Sequence, residues 1–327
     1  MMLIASPILS ESKSHDKALV IGLVNNMPDT ALRTTERQFN SLLSAACGNR
    51  VIRLRYFSLP ELPRGEAARA HLKQHYEDLS ELWASPIDGL IVTGTEPRAS
   101  ALTDEPYWTT LTKLIDWAEN HTISTIWSCL AAHAAVLHSD GIGRRRLPKK
   151  LSGVFGCVKA ADHRIVAGAP AQWSVPHSRQ NDLPEVVLVA RGYRVLSRSA
   201  ETGADLFVKA PDSLFVFVQG HPEYEPRTLL HEYRRDVGRF LTGERDSYPE
   251  MPCGYFDDEA VTALDSFRGQ ALRNRDAGLL STFPMAGIEE RLSYAWRESA
   301  VRIYANWIAY LAERVSVIDA REARVAG

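Results

Sequence analysis

The junction around Cys129 limits the fold more than any other part of the chain. There the apolar run Ser124-Thr-Ile-Trp-Ser-Cys129 passes without a loop into the helix-forming run Leu130-Ala-Ala-His-Ala-Ala-Val-Leu137. A short apolar run reads as a buried strand, and an alanine-rich run directly after it reads as a helix. Such a joint belongs to a βα unit, so neighbouring segments are expected to alternate in the same way. They do. Lys17 to Val24, Val51 to Phe57 and Ile87 to Gly94 read as strands. Thr34 to Leu43, about Glu66 to Trp83, and Pro106 to Glu119 carry apolar residues at helical spacing, among them Phe39, Leu42, Leu43, Leu111 and Ile115. The pattern predicts an α/β protein with a doubly wound, mostly parallel sheet and helices on both faces.

The segment from about 150 to 220 differs. Glu185 to Val189, Arg194 to Ser197, Ala204 to Lys209 and Leu214 to Gln219 are short β-rich runs separated by turns, expected to extend the sheet with antiparallel strands. Arg227 to Leu241 reads as a helix whose first turn is fixed by Pro226. From Asp246 to about Phe283, Pro, Gly and charged residues are frequent and a loop-rich excursion is expected. Glu298 to Val315 forms an amphipathic helix with Val301, Tyr304, Ile308, Leu311 and Val315 on one stripe. The expected organisation is an N-terminal arm (1–17), one catalytic domain (18–245), and a loop-rich segment with a C-terminal helix (246–327) packed on that domain.

Bulk properties narrow the partners. Of 327 residues 45% are hydrophobic and 24% charged, and the formal net charge of −2 gives no broad electrostatic case for nucleic acid. The one dense basic run, Arg144-Arg145-Arg146 to Lys149-Lys150, reads either as a solvated loop or as an attractor for a polyanionic substrate such as a nucleotide or coenzyme A. Cys47, Cys129, Cys157 and Cys253 are far apart with no CxxC pair, which argues against a disulfide framework and a zinc ribbon. No apolar stretch approaches bilayer length, and Met1 to Lys17 lacks the parts of a secretory signal. A cytoplasmic, reducing setting is expected, with no membrane partner and no metal.

Two features carry chemistry. A cysteine on a strand–turn–helix elbow stands above the sheet edge at a helix N-terminus, a setting that favours the reactive thiolate form. Position alone does not decide, because a buried cysteine also serves as a small hydrophobe. The second feature is Leu214-Phe-Val-Phe-Val-Gln-Gly-His-Pro-Glu-Tyr224, an apolar strand ending in His221 and Glu223. Gly220 allows a tight exit, and Pro222 is expected to hold His221 and Glu223 on one side of an extended segment. An imidazole beside a carboxylate can be fixed in one tautomer, take a thiol proton and then deprotonate a hydroxyl.

An elbow cysteine followed about ninety residues later by His-Pro-Glu resembles the class I glutamine amidotransferase-like superfamily, of flavodoxin-like fold, whose Cys–His–Glu triad implies the roles of Cys129, His221 and Glu223. Asp88-Gly-Leu-Ile-Val-Thr-Gly94, Tyr107-Trp108, Lys150-Leu-Ser-Gly-Val-Phe155, Pro176-His-Ser-Arg179, Gly220-His-Pro-Glu-Tyr224 and Glu232-Tyr-Arg-Arg-Asp236, with Asn306-Trp307, are similar to the homoserine O-acyltransferase family of methionine biosynthesis, of the O-succinyltransferase type. The resemblance implies a ping-pong acyltransferase that uses acyl-CoA and a hydroxy amino acid as substrates, needs no cofactor, and is commonly a homodimer. It implies substrate-binding roles for Lys150, Ser178 and Arg235, with Glu232 on the ammonium, and an oxyanion site at the N–H of Leu130 and one from the Thr95-Glu96 turn. Arg98 is the expected partner of a succinyl carboxylate. The chain departs from the family pattern at Asp29-Thr30, where a basic residue is usual and Arg33 is the candidate substitute, and at Leu130 and His133, where Trp and Gln are usual. Acetyl-CoA as donor, serine as acceptor, a glutaminase and a binding protein without turnover therefore stay open.

Overall fold

The structure is a computed structural model that describes residues 18–326, so the expected N-terminal arm lies outside the described residues. Nine strands form one mixed sheet: β1 (Leu19–Val24), β2 (Ile52–Phe57), β3 (Gly89–Val92), β4 (Ser124–Ser128), β5 (Arg145–Lys159), β6 (Gln172–Asp182), β7 (Arg194–Ser199), β8 (Gly203–Lys209) and β9 (Leu214–Val218). The helices are α1 (Asp29–Ala46), α2 (Glu66–His75), α3 (Leu79–Ala84), α4 (Trp108–His121), α5 (Leu130–Asp140), α6 (Glu185–Ala190), α7 (Thr228–Leu241), α8 (Asp258–Arg273), α9 (Met285–Glu289) and α10 (Arg297–Ala326).

Strand order is β2-β1-β3-β4-β9-β8-β7-β5-β6. The first five strands pair in parallel and the remaining pairings are antiparallel. The parallel half has the flavodoxin-like order, with β9 in the fifth place. β3, β4 and β9 are buried at every position, as the apolar runs of β3 and β9 require for strands covered on both sides, and the buried Ser124 hydroxyl of β4 donates to Leu214 O (2.5 Å). One face packs against α1 and α10 through Phe39, Leu43, Tyr304, Trp307 and Leu311. The other packs against α3, α4 and α5 through Leu82, Leu111, Leu114 and Ala135. A third cluster joins α7 to α8, with Tyr233, Val237, Leu264 and Phe267 at its centre. No described helix is long and apolar enough to cross a membrane.

Four local expectations change. Glu185 to Val189 is the helix α6, not a strand. Pro184 precedes its first turn, only Leu188 is buried, and Val186 stays 82% exposed. The stretch 66–83 is two helices, because Tyr76 turns inward to donate to Glu36 Oε1 (2.7 Å) and Asp78 caps α3 at Ser80 N (2.8 Å). The basic run is not simply a loop, since β5 starts at Arg145. The supposed loop-rich excursion contains α8, where Ala260, Leu264, Phe267 and Ala271 keep helical spacing and Asp257 caps the start.

Candidate active site

β4 and β9 are adjacent and parallel, with Ser128 opposite Val218. Both chains therefore leave the sheet at one edge, the carboxyl edge where open α/β sheets bind ligands. Cys129 is the next residue after β4. Its φ of 51° is the one positive value outside glycine among the described residues, a strained conformation of the kind that elbow nucleophiles adopt. Its N–H donates to Val218 O (2.7 Å), tying the elbow to the end of β9. Cys129 also stands at the N-terminus of α5.

β9 exits through Gly220, where a Cβ would lie 2.8 Å from Asp205 Oδ1 and 3.0 Å from Pro176 O. The buried Asp205 accepts the Gly220 N–H (3.1 Å), and His221 N donates to Pro176 O (2.8 Å). His221 and Glu223 then meet in a turn, closed by Tyr224 N to His221 O (3.1 Å), rather than along an extended segment. The proline, which lacks an N–H to continue a ladder, favours the turn. His221 Nδ1 lies 2.8 Å from Glu223 Oε1, which leaves the other ring nitrogen for Cys129, and the imidazole hydrogen-bonds that side chain. Burial alone would discourage protonation of His221. The charges of Glu223 and Cys129, with hydrogen bonds from both, overcome it and hold the imidazole well above its usual range. The Tyr224 ring stacks on His221 at 4.2 Å between centroids.

The two residues open onto a cleft of about 530 Å³ whose lining includes Thr95, Glu96, Leu130 and Arg235. Gly94 lies against the start of α5, where a Cβ would come 2.9 Å from Leu130 N. Only a glycine leaves that N–H open to an incoming oxyanion. The Glu96 side chain is exposed and pairs with Arg239 (3.3 Å). Arg98 is exposed, does not line the cleft, and gives its backbone N–H to Glu105 (2.6 Å). Arg33 is also exposed and outside the cleft, while Asp29 is engaged by Gly65 N (2.7 Å) and Arg64 (3.3 Å).

The facing wall brings together Lys150 from β5, Ser178 from β6, and Glu232 and Arg235 from α7. Glu232 accepts from Ser178 Oγ and from Tyr224 Oη (2.7 Å). Lys150 Nζ is 2.9 Å from Asp236 Oδ2 and 3.9 Å from Glu232. Arg235 grips the other Asp236 oxygen through Nε and Nη2 (3.0 and 2.9 Å). Burial works to raise the Asp236 carboxyl, and the two cations outweigh it and hold it below its usual range. Asp236 had gone unassigned, although its place four residues after Glu232 puts both on one helix face. Arg144 and His133 also line the cleft. Arg144 had been read only as part of a basic run.

Behind the base, Cys157, His177 and Asp205 place ligand-type atoms within 4.8 Å of one another, all buried. The donor set does not suit a metal. Burial pushes the Cys157 thiol well up, and the Asp205 oxygens already accept from Ser197 Oγ (3.0 Å) and Gly220 N. Arg179 Nε donates to His177 Nδ1 (3.4 Å), which puts the ring proton on Nε2, the nitrogen that faces Asp205 at 3.5 Å.

Known proteins share this architecture and are similar over most of this sequence. A crystal structure of a glutamine amidotransferase from Methylobacillus flagellatus matches at a TM-score of 0.50 and 15% identity, over 90% of this chain and 95% of that one, a likeness of fold alone. A homoserine O-succinyltransferase from Methylorubrum extorquens is 50% identical over 92% of this chain and 89% of its own length. Those of Rhodopseudomonas palustris (48% identical, 90% of this chain, 89% of its own) and Bradyrhizobium japonicum (47%, 95% and 97%) are similar throughout. A family model described as homoserine O-succinyltransferase matches residues 8–317. With the fold, the motif segments and near full-length similarity in agreement, the chain belongs to the homoserine O-succinyltransferase family.

Proposed function

We propose that this protein transfers the succinyl group of succinyl-CoA to the hydroxyl of L-homoserine, a step of methionine biosynthesis, through a thioester on Cys129. The observation that carries the reading is the strained Cys129 at the head of α5, hydrogen-bonded to a His221 that Glu223 orients. The Cys129 sulfur, its proton passed to His221, attacks the thioester carbonyl, and the displaced electron pair collects on the carbonyl oxygen. Leu130 N–H and an N–H of the Thr95-Glu96 turn face that oxygen. Collapse breaks the bond to coenzyme A, whose thiolate takes a proton from His221. The homoserine hydroxyl then gives its proton to His221 and forms the ester bond, and the Cys129 sulfur leaves. Arg235 takes the amino-acid carboxylate and Glu232 its ammonium, with Lys150 and Ser178 holding Glu232 and Asp236 in place. No cofactor enters this chemistry.

Intact mass after mixing with succinyl-CoA tests the first half-reaction, and kcat/KM for homoserine against serine tests the second. The expected result is a succinyl adduct confined to Cys129 and a clear preference for homoserine. No adduct with any acyl-CoA, together with ammonia release from glutamine, would replace this reading by a glutaminase. The homodimer and the cytoplasmic setting belong to the same proposal, and sedimentation of the purified chain tests the dimer.

A further inference from the structure

Arg144 reaches the cleft from the segment joining α5 to β5. Its Nη1 is buried without a hydrogen-bond partner, and the side chain makes no ion pair among the described residues. The hydroxyl of Tyr107, a residue only 4% exposed, is likewise buried and unpartnered. Arg144 lies within electrostatic reach of Tyr107 and of Cys129. An acid within the same reach is Glu105, whose Oε1 is already taken by the N–H groups of Arg98 (2.6 Å) and Ala99 (2.8 Å). A buried guanidinium N–H without an acceptor keeps its full desolvation penalty. Buried donors are almost always paired, so an unpaired one marks a place for an anionic acceptor. Arg144 shares its cleft with the nucleophile.

We infer that Arg144 receives the free carboxylate of the succinyl group while Cys129 carries it. The inference rests on the succinyl transfer proposed above and adds the residue that selects the donor. A succinyl carboxylate is separated from its thioester carbonyl by two methylene groups, so its receptor must stand in the same cleft as the sulfur. Arg144 satisfies this and Arg98, which faces away, does not. An uncharged acyl group would leave the buried Arg144 Nη1 unpaired, and this penalty turns a contact into discrimination.

The test is the ratio of kcat/KM for succinyl-CoA to that for butyryl-CoA, an uncharged donor of similar length, with homoserine saturating. Arg144→Gln is expected to lower that ratio roughly 10- to 100-fold, the range for a hydrogen bond to a charged group. Arg144→Lys should recover part of it. A ratio unchanged in Arg144→Gln would overturn the inference, and so would equal losses with both donors, which mark a structural role. Failure of the unaltered enzyme to form a succinyl adduct on Cys129 would remove the parent reading and this one together. A normal adduct with an unchanged ratio removes only this one.

Discussion

The two halves of the sheet meet at the cleft, and they build their sides of it by different means. The parallel half sets the proposed nucleophile, base and oxyanion site with main chain: a positive φ at Cys129, a hydrogen bond from its N–H to Val218, and close approaches at Gly94 and Gly220. The antiparallel half, with α7, builds its wall from long charged side chains that neutralise one another, Lys150 and Arg235 on Asp236, with Ser178 and Tyr224 on Glu232. Main-chain geometry has almost no slack. Paired side chains can exchange partners when a zwitterion arrives, so in the proposed reaction the first half holds the chemistry fixed and the second adapts to the acceptor.

This contrast can be broken most sharply at the nucleophile. Cys129→Ala is expected to lower kcat by about 10⁴-fold or more, with no acyl adduct in the mass spectrum. Substantial residual turnover would move the covalent step elsewhere. Next comes Gly94→Ala, which places a methyl group against Leu130 N and is expected to slow acylation of Cys129 about 10²- to 10³-fold. A normal acylation rate would show that the Leu130 N–H takes no part. On the opposite wall, Glu232→Gln and Arg235→Met are expected to raise the homoserine KM roughly 10- to 100-fold while the acyl-enzyme still forms. Loss of acylation in these variants would erase the distinction between the halves.

The smallest effect is on stability. Burial holds His133 down at about 3, while Gln219 accepts from its Nε2 (2.9 Å). A histidine whose folded pKa lies below its unfolded value of 6.5 contributes stability above 6.5 that is lost as pH falls toward 3. At pH 5 the loss is about 2 kcal/mol. His133→Gln removes the titrating group. The drop in urea-unfolding free energy from pH 7 to pH 5 should therefore be smaller by about that amount in the variant. His177, also held low by burial, titrates in both proteins and cancels. Equal drops would show that His133 charges without cost.

Much of this architecture was readable before any coordinates, because it is written in local pattern. Apolar runs marked β1, β3 and β9, and a strand entering a helix at Cys129 marked β4 and the elbow. The His-Pro-Glu end of β9 marked the proposed base. What escaped reading depends on distant contacts. Nothing near Glu185 says that its valines have no strand to pair with. Asp236 and Arg144 look like ordinary surface charges until α7 is laid over β5 and the α5–β5 segment folds back toward Tyr107. Arg98 misled for the same reason: its neighbours in sequence line the cleft, and its own side chain does not.

One packing feature bears on how the protein is made. The face of the sheet opposite α4 and α5 is closed by α10, whose Trp307 is fully buried and donates to Ser124 Oγ in β4 (2.9 Å). That helix is translated after every strand it covers. On the ribosome, β1, β3 and β4 must wait with part of an apolar face uncovered, a state open to association with other chains. The elbow at Cys129 can therefore take its final form only once α10 has emerged. Its assembly should respond to chaperones and temperature more than the finished enzyme does.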